Sequence, residues 1–391
     1  MRALLNVDDY RAVAKRRLPR IVFDYIDGGA ESERAVQENR RAFETVALRP
    51  RGAVRPDVID LHVSVLGSEL SMPVLLAPCG MTRMVHPDGD LAGARAAGKA
   101  GTIFVLSAMS GHPMEEVADA ATGPAWYQVY YVGGRESVEA AIERAAKAGY
   151  AALAITIDTM VGSLRERDRR NGMAPLLGGL KPSTLPYAVP ILAKPRWLAS
   201  RLRDGRRLGH FRDGLQPRLA NVIENGGRPR TRGPGLLASS LAWEDLSWVR
   251  ELWSGPIVIK GVLTGDDGRR AMDEGAAAVI VSNHGGRQLD YAEATLRALP
   301  EVVRAVDGRG EVLVDGGVRR GTDVLKALSL GARAVLVGRP WVYALGAAGE
   351  QGVSAVLELL RDSMERNMAL LGCRAVKELG PDYVRVSAEW K

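Results

Sequence analysis

Eight short apolar runs, rich in β-branched residues, recur along the chain and constrain its fold more than any other feature. They are Val74–Pro78 (VLLAP), Thr102–Ser107 (TIFVLS), Trp126–Tyr130 (WYQVY), Ala152–Asp158 (ALAITID), Pro256–Gly261 (PIVIKG), Ala278–Asn283 (AVIVSN), Glu311–Gly317 (EVLVDGG) and Ala334–Arg339 (AVLVGR). Most are apolar at nearly every position, as strands buried on both faces must be. Helix-like stretches such as DLAGARAAGKAG, SVEAAIERAAKAG and TDVLKALSLGA lie between most of them. The last spaces its apolar residues at three and four. Eight strand–helix units in series predict an α/β chain folded as a (β/α)8 TIM barrel. A doubly wound sheet is the alternative, but it would place its glycine signature after the first strand.

One expected domain covers residues 1–391, with the barrel over about 72–370. Residues 7–50 read as an N-terminal helical cap, and SAVLELLRDSMERNMALLG as a C-terminal amphipathic helix. Almost a hundred residues separate Asp158 from Pro256, which predicts a long insertion after strand four, about 172–238. The insertion is proline-rich, partly helical around PRWLASRLRD, and basic. From Lys181 to Arg232 there are twelve Lys/Arg against three acids, a net +9, while the whole chain carries only +7. The remainder is slightly acidic, so a whole-chain nucleic-acid binder is excluded as a reading. Basic residues near an anionic bilayer contribute about 1 kcal/mol each. The insertion thus has two open readings: peripheral membrane contact, with Tyr187, Ile191, Leu192 and Trp197 entering the interface, or a solvated lid whose charges only aid solubility. No apolar run has the length of a span, and the N-terminal stretch lacks the apolar core of a signal peptide. Two distant cysteines, Cys79 and Cys373, form neither a disulfide framework nor a metal cluster. The expected location is cytoplasmic, with peripheral contact at the inner face of the plasma membrane.

Barrel active sites are built at the C-terminal ends of the strands. The residues there are Cys79-Gly80, Ser107, Gln128 and Tyr130, Thr156 and Asp158, Lys260, His284 and Arg287, Asp315-Gly316-Gly317 and Arg319, and Gly338-Arg339. In SNHGGRQLD (Ser282–Asp290) a base is followed by two glycines and a fixed positive charge, a set suited to taking a proton from an anion. DGGVRRG after strand seven and GRP after strand eight offer bare backbone N–H groups and arginines to a phosphate. Lys260 has two open readings: an ion pair with a carboxylate such as Asp315, or the cation beside a ring that becomes negative on reduction. Arg165, amid Glu166, Arg167 and Asp168, reads by itself as a solvated charge. Tyr25 reads as a helix-packing residue, and Cys79 as a small buried side chain.

These motifs together resemble the FMN-dependent L-2-hydroxy-acid oxidases and dehydrogenases. The similarity runs from NVDDYRAVAKRRLP to LGPDYV, and LRERDRRNG with the long insertion points to the membrane-associated dehydrogenase branch acting on lactate or mandelate. The resemblance implies FMN as cofactor and His284 as base, with Asp158 as its carboxylate partner. It implies that Arg165 and Arg287, helped by Tyr25, hold the substrate carboxylate, and that Tyr130 meets the substrate hydroxyl. Pro78, Cys79 and Gly80 would pass beside the flavin ring. Ser107, Gln128, Thr156 and Lys260 would bond its polar edge. Ser282, Asp315, Gly316, Gly317, Arg319, Gly338 and Arg339 would hold ribityl and phosphate. Gly285 and Gly286 would let the backbone pass close to the flavin. Met109 stands where glycolate oxidase-like members carry tryptophan, and Cys79 where many have threonine. The implied reaction oxidises an L-2-hydroxy acid to the 2-oxo acid and passes electrons to a quinone-type acceptor or oxygen. The implied assembly is a homo-oligomer, a tetramer. The rivals are another FMN-barrel enzyme such as an isomerase, and a non-catalytic basic barrel scaffold.

Overall fold

The eight apolar runs become eight parallel strands that close on themselves in the computed structural model, which describes residues 3–172, 188–204 and 241–390. Three helices, α1 (Val7–Arg17), α2 (Arg20–Asp27) and α3 (Arg34–Glu44), precede the strands β1 (Val46–Leu48), β2 (Val63–Val65) and β3 (Ser68–Leu70). The barrel follows as β4 (Val74–Leu76), β5 (Phe104–Leu106), β6 (Ala125–Val129), β7 (Ala152–Thr156), β8 (Ile257–Val262), β9 (Ala278–Val281), β10 (Glu311–Asp315) and β11 (Ala334–Val337). Each pairs with its neighbour in sequence, and β11 closes on β4 through Val335↔Val74, Leu336↔Leu75 and Val337↔Leu76.

Nearly every strand residue is buried because one side fills the barrel and the other meets helices. The inner side chains, among them Leu75, Val105, Trp126, Ile280, Leu313 and Leu336, form one cluster that Val65 and Leu70 of the β2–β3 hairpin join. Fully burying a side chain of that size contributes roughly 1.5–3 kcal/mol.

The cap departs from the helical expectation at its end. Residues 46–48 form β1, antiparallel to β12 (Val384–Val386). The two partners lie at opposite ends of the sequence, so no local pattern announces their pairing. The C-terminal helix is present within Arg339–Leu371, but that run is two helices broken at Ala348–Gly349. Gly349 has φ +60°, and a Cβ there would come within 3.0 Å of the His86 ring.

Most of the basic segment 181–232 lies outside the described residues, Tyr187 included. Its described part, helices Ala188–Leu192 and Pro195–Asp204, corrects the expected membrane face. Trp197 is buried and donates from Nε1 to the Met84 carbonyl at 2.9 Å, so it anchors the segment to the barrel. Ile191 packs against the core, and Arg83 pairs with Asp204 at 2.6 Å. Val189, Leu192 and Leu202 are the apolar residues left exposed. No described helix is long and apolar enough to cross a membrane.

Candidate active site

The strand ends and the loops that follow them line one cavity of about 340 Å³ at the C-terminal mouth of the barrel. Its walls carry Tyr25, Pro78, Cys79, Gly80, Ser107, Gln128, Tyr130, Arg165, Lys260, His284, Arg287, Asp315, Gly316, Gly317, Arg319, Gly338 and Arg339. Three expected residues, Thr156, Asp158 and Ser282, stand one layer behind and act on the wall residues through hydrogen bonds.

His284 is held on both edges of its ring. Nδ1 lies 2.9 Å from Asp158 Oδ1, and Nε2 lies 3.3 Å from the Tyr130 hydroxyl. Its backbone N–H donates to Ser282 Oγ at 3.1 Å, and the residue has φ +59°, a left-handed conformation uncommon outside glycine. Such a backbone costs of order 1–3 kcal/mol and persists where the surroundings fix it. Burial pushes the imidazole below its ordinary value, and the charges of Lys260 and Arg165 add to this against the raising effect of Asp158. Burial alone would raise the Asp158 carboxyl, but the charge and hydrogen bond of His284, with Lys260, hold it below the usual range. The pair is therefore a neutral imidazole oriented by a carboxylate, the state a general base needs.

Tyr25 is a site residue, not only a packing one. The guanidinium of Arg287 lies 5.0 Å from its ring centre and that of Arg165 5.9 Å. Arg165 is no solvated charge: burial lowers its pKa, the positive charge of Arg287 lowers it further, and it leans on Asp168 at 3.8 Å. Burial raises the Asp168 carboxyl, and the two arginines pull it back. Two half-buried arginines facing one carboxylate leave net positive charge for a substrate anion. Asp168 was missed in the sequence because RERDRR looks like an exposed charge run.

The ion-pair reading of Lys260 holds. Nζ is 3.2 Å from Asp315 Oδ2 and 2.8 Å from Ser282 Oγ, and the side chain also lines the cavity. Burial would lower its pKa, but the charges of Asp315 and Asp158 outweigh burial and keep it protonated.

The remaining wall suits a flavin mononucleotide. Gln128 donates from Nε2 to Thr156 Oγ1 at 2.8 Å, which leaves its buried Oε1 without a partner and open to a ring N–H donor. At the other end, Gly316 and Gly317 have φ +90° and +88°, beside Arg319 and Arg339. Burial lowers both guanidiniums, Arg339 to about 10, and among the described residues neither forms an ion pair. Cations so placed match a phosphate dianion. Burial raises the Cys79 thiol to about 12, which excludes a thiolate nucleophile.

The glycines after His284 are explained differently from the expectation. A Cβ on Gly286 would lie 2.6 Å from the backbone nitrogen of Val36, and one on Gly285 would lie 3.0 Å from Arg339 Nη1. Gly286 is thus required by the close approach of α3, while Gly285 remains on the cavity wall. Gly317 likewise abuts the Asn39 carbonyl of α3. Asp27, described below, was also missed, having no catalytic motif around it.

A family model described as FMN-dependent dehydrogenase matches residues 14–386. Glycolate oxidase 5 of Oryza sativa subsp. japonica is 41% identical over 389 residues, covering 100% of this chain and 98% of that protein. The crystal structure of the monotopic membrane protein (S)-mandelate dehydrogenase superposes with a TM-score of 0.89 at 38% identity, covering 99% of this chain and 100% of that one. A mandelate oxidase crystal structure superposes with a TM-score of 0.81 at 34% identity, covering 98% of this chain and 99% of that one.

Proposed function

The chain belongs to the FMN-dependent dehydrogenase family and is an FMN-dependent oxidoreductase of 2-hydroxy acids, and on that premise we propose that its substrate is an L-2-hydroxy acid of the lactate or mandelate type, with His284 as base. The observation that carries this reading is the His284–Asp158 pair, with Nε2 directed at the Tyr130 hydroxyl in a cavity that also holds Arg165 and Arg287. Oxidising R–CH(OH)–COO⁻ to R–CO–COO⁻ releases two electrons and two protons. Bound FMN supplies the acceptor for the electron pair. Arg287 and Arg165 bind the carboxylate, and both guanidiniums lie against the Tyr25 ring. Tyr130 orients the 2-hydroxyl. His284 Nε2 takes a substrate proton, and Asp158 stabilises the imidazolium that results. Lys260, held protonated on the cavity wall, would supply positive charge to the bound cofactor, an electrostatic role that needs no movement at the moment of reaction.

The side-chain preference rests on Met109, Val161 and Leu164, apolar residues on the cavity wall. Methionine in place of tryptophan at position 109 reshapes the acyl pocket and favours a substituent larger than hydrogen. For the acceptor we favour a quinone over oxygen, because the exposed Val189, Leu192 and Leu202 and the basic segment suit contact with an anionic bilayer. The proposal extends to peripheral attachment at the inner face of the plasma membrane and to a homotetramer, which light scattering tests.

The deciding experiment is anaerobic bleaching of the yellow holoenzyme by glycolate, L-lactate and (S)-mandelate, followed by reoxidation with a quinone or oxygen. Faster bleaching by lactate or mandelate than by glycolate is expected, with quinone the faster oxidant. Bleaching by glycolate alone would remove the side-chain reading. Absence of bleaching by every acid would remove the function.

A further inference from the structure

We propose that Asp27 is a positioning residue for the substrate-binding arginine Arg287: its carboxylate fixes the C-terminal end of α2, whose backbone carbonyls aim that guanidinium. The inference rests on the carboxylate-binding role given to Arg287 above.

The last carbonyls of a helix have no partner within it and must find one elsewhere. At the end of α2 they are taken by arginines. Arg287 Nη1 donates to the Tyr25 carbonyl at 2.7 Å and to the Gly28 carbonyl at 3.1 Å. Arg339 donates from Nε to the Ile26 carbonyl at 3.2 Å and from Nη2 to the same Gly28 carbonyl at 2.8 Å. One short stretch, residues 25–28, therefore sets the direction of two neighbouring guanidiniums that both line the cavity. A guanidinium is planar, so fixing one nitrogen on two carbonyls orients the donors that remain.

Asp27 lies inside that stretch, buried, and its carboxylate accepts four hydrogen bonds from three other elements. Arg11 of α1 binds both oxygens, at 2.6 and 2.8 Å. Arg167, two residues beyond Arg165, donates to Oδ2 at 2.8 Å, and its other amino nitrogen reaches Glu33. The Tyr343 hydroxyl donates to Oδ1 at 2.7 Å, one helical turn beyond Arg339. Burial alone would raise the carboxyl, but the bonds from Arg11, Tyr343 and Arg167 outweigh it and hold it well below the usual range. A charged acceptor with four donors is a stiff joint. It ties the cap to the loop that carries Arg165 and to the helix that begins with Arg339, and it touches none of the reacting atoms.

The test is a double-mutant cycle on the holoenzyme with oxalate as the probe, read as its perturbation of the flavin absorbance. Oxalate carries the carboxylate but cannot be oxidised as a 2-hydroxy acid, so binding is read without turnover. Asp27→Asn is expected to weaken oxalate by about tenfold, and Arg287→Lys by a similar factor. The double variant is expected to weaken it by far less than the product of the two, because both remove the same orientation. Losses that multiply would reduce Asp27 to general stability and overturn the proposal, as would unchanged oxalate affinity in Asp27→Asn. A wild-type enzyme whose flavin ignores oxalate would count against the function reading on which this proposal rests, whereas intact wild-type binding with no loss in Asp27→Asn overturns the proposal alone. If Asp27→Asn does not fold, Tyr343→Phe removes one of the four donors and is run through the same cycle. A non-multiplicative loss of about threefold supports the proposal there, and a multiplicative or absent loss overturns it.

Discussion

His284 Nδ1 is 2.9 Å from Asp158 Oδ1, so the proton on that ring edge points at the carboxylate and Nε2 keeps its lone pair for the cavity. Replacing His284 with Gln removes the base and leaves the other flavin-facing residues in place. His284→Gln is expected to purify yellow and to lose turnover by at least about 10²-fold. Asp158→Asn is expected to retain FMN and lose turnover too, since an amide no longer selects the tautomer. Near-wild-type kcat in His284→Gln, measured by stopped-flow bleaching, would refute the base assignment.

The depressed pKa of His284 fixes the acid limb of the pH profile. Only the neutral ring accepts a proton, and burial with two nearby cations favours the neutral ring. The midpoint of the acid limb of kcat/KM is expected to lie below 6.5. Between the two values the folded chain binds fewer protons than the unfolded chain. Stability from this group is thus complete above the unfolded pKa of about 6.5 and is lost as pH falls through the lower folded value. Arg165→Met removes one depressing charge and is expected to move the limb to higher pH. A wild-type limb centred above 6.5 would contradict the electrostatic account.

Arg287→Lys keeps the charge but loses the planar fork. A single ammonium cannot bond the Tyr25 and Gly28 carbonyls and a substrate carboxylate together in the same geometry. The expected result is a KM increase of about tenfold or more with little change in FMN affinity, measured by quenching of free FMN fluorescence on titration into apoprotein. Loss of FMN with unchanged substrate affinity in the remaining holoenzyme would move Arg287 to the flavin site.

The sequence made the strands legible because parallel strands in a barrel are apolar on both faces, and all eight runs close in chain order. It made the wall residues legible for a related reason, since a polar side chain at the end of such a run has only the barrel mouth to face. What depends on distant partners was hidden. β1 finds β12 at the other end of the chain, and Gly286 and Gly317 owe their identity to α3, more than two hundred residues earlier. Asp27 carries no motif, and its donors Arg11, Arg167 and Tyr343 come from three distant elements. Trp197 was misjudged because an aromatic in a basic helix suits a bilayer as well as it suits a groove on the barrel. The choice between them lay in one hydrogen bond, to Met84.

Lys260 and Asp315 are a buried pair, with side chains only 5% and 9% exposed at a separation of 3.2 Å. Removing one partner leaves the other charge uncompensated, which costs roughly 3–5 kcal/mol. Lys260→Met is expected to lower the melting temperature of the apoprotein as well as abolish turnover. The apoprotein measurement separates the pair from any contribution of bound cofactor. An unchanged apoprotein Tm would mean that Asp315 is satisfied without Lys260.

The basic segment offers the last prediction, and the buried Trp197 sharpens it. Because Trp197 and Ile191 pack on the barrel, the large apolar side chains left for a bilayer are Val189, Leu192 and Leu202, with Arg196 and Arg203 also exposed. Apolar insertion and charge attraction then contribute separately: the first scales with buried area and resists salt, whereas the second is screened within about 10 Å at 0.1 M salt. The wild-type protein is expected to float with anionic vesicles at low salt and to be partly released at high salt. Leu192→Ser with Leu202→Ser is expected to be fully released by salt while keeping wild-type turnover with a soluble acceptor. Trp197→Ser is expected to behave differently, disturbing the docking of helix Pro195–Asp204 on Met84 and lowering stability without a specific loss of vesicle binding. If Trp197→Ser abolishes flotation at unchanged Tm while the leucine pair has no effect, the tryptophan faces the membrane after all. If the wild-type protein stays with the soluble fraction at low salt, the charge serves solubility and the case for a quinone acceptor falls with the membrane contact.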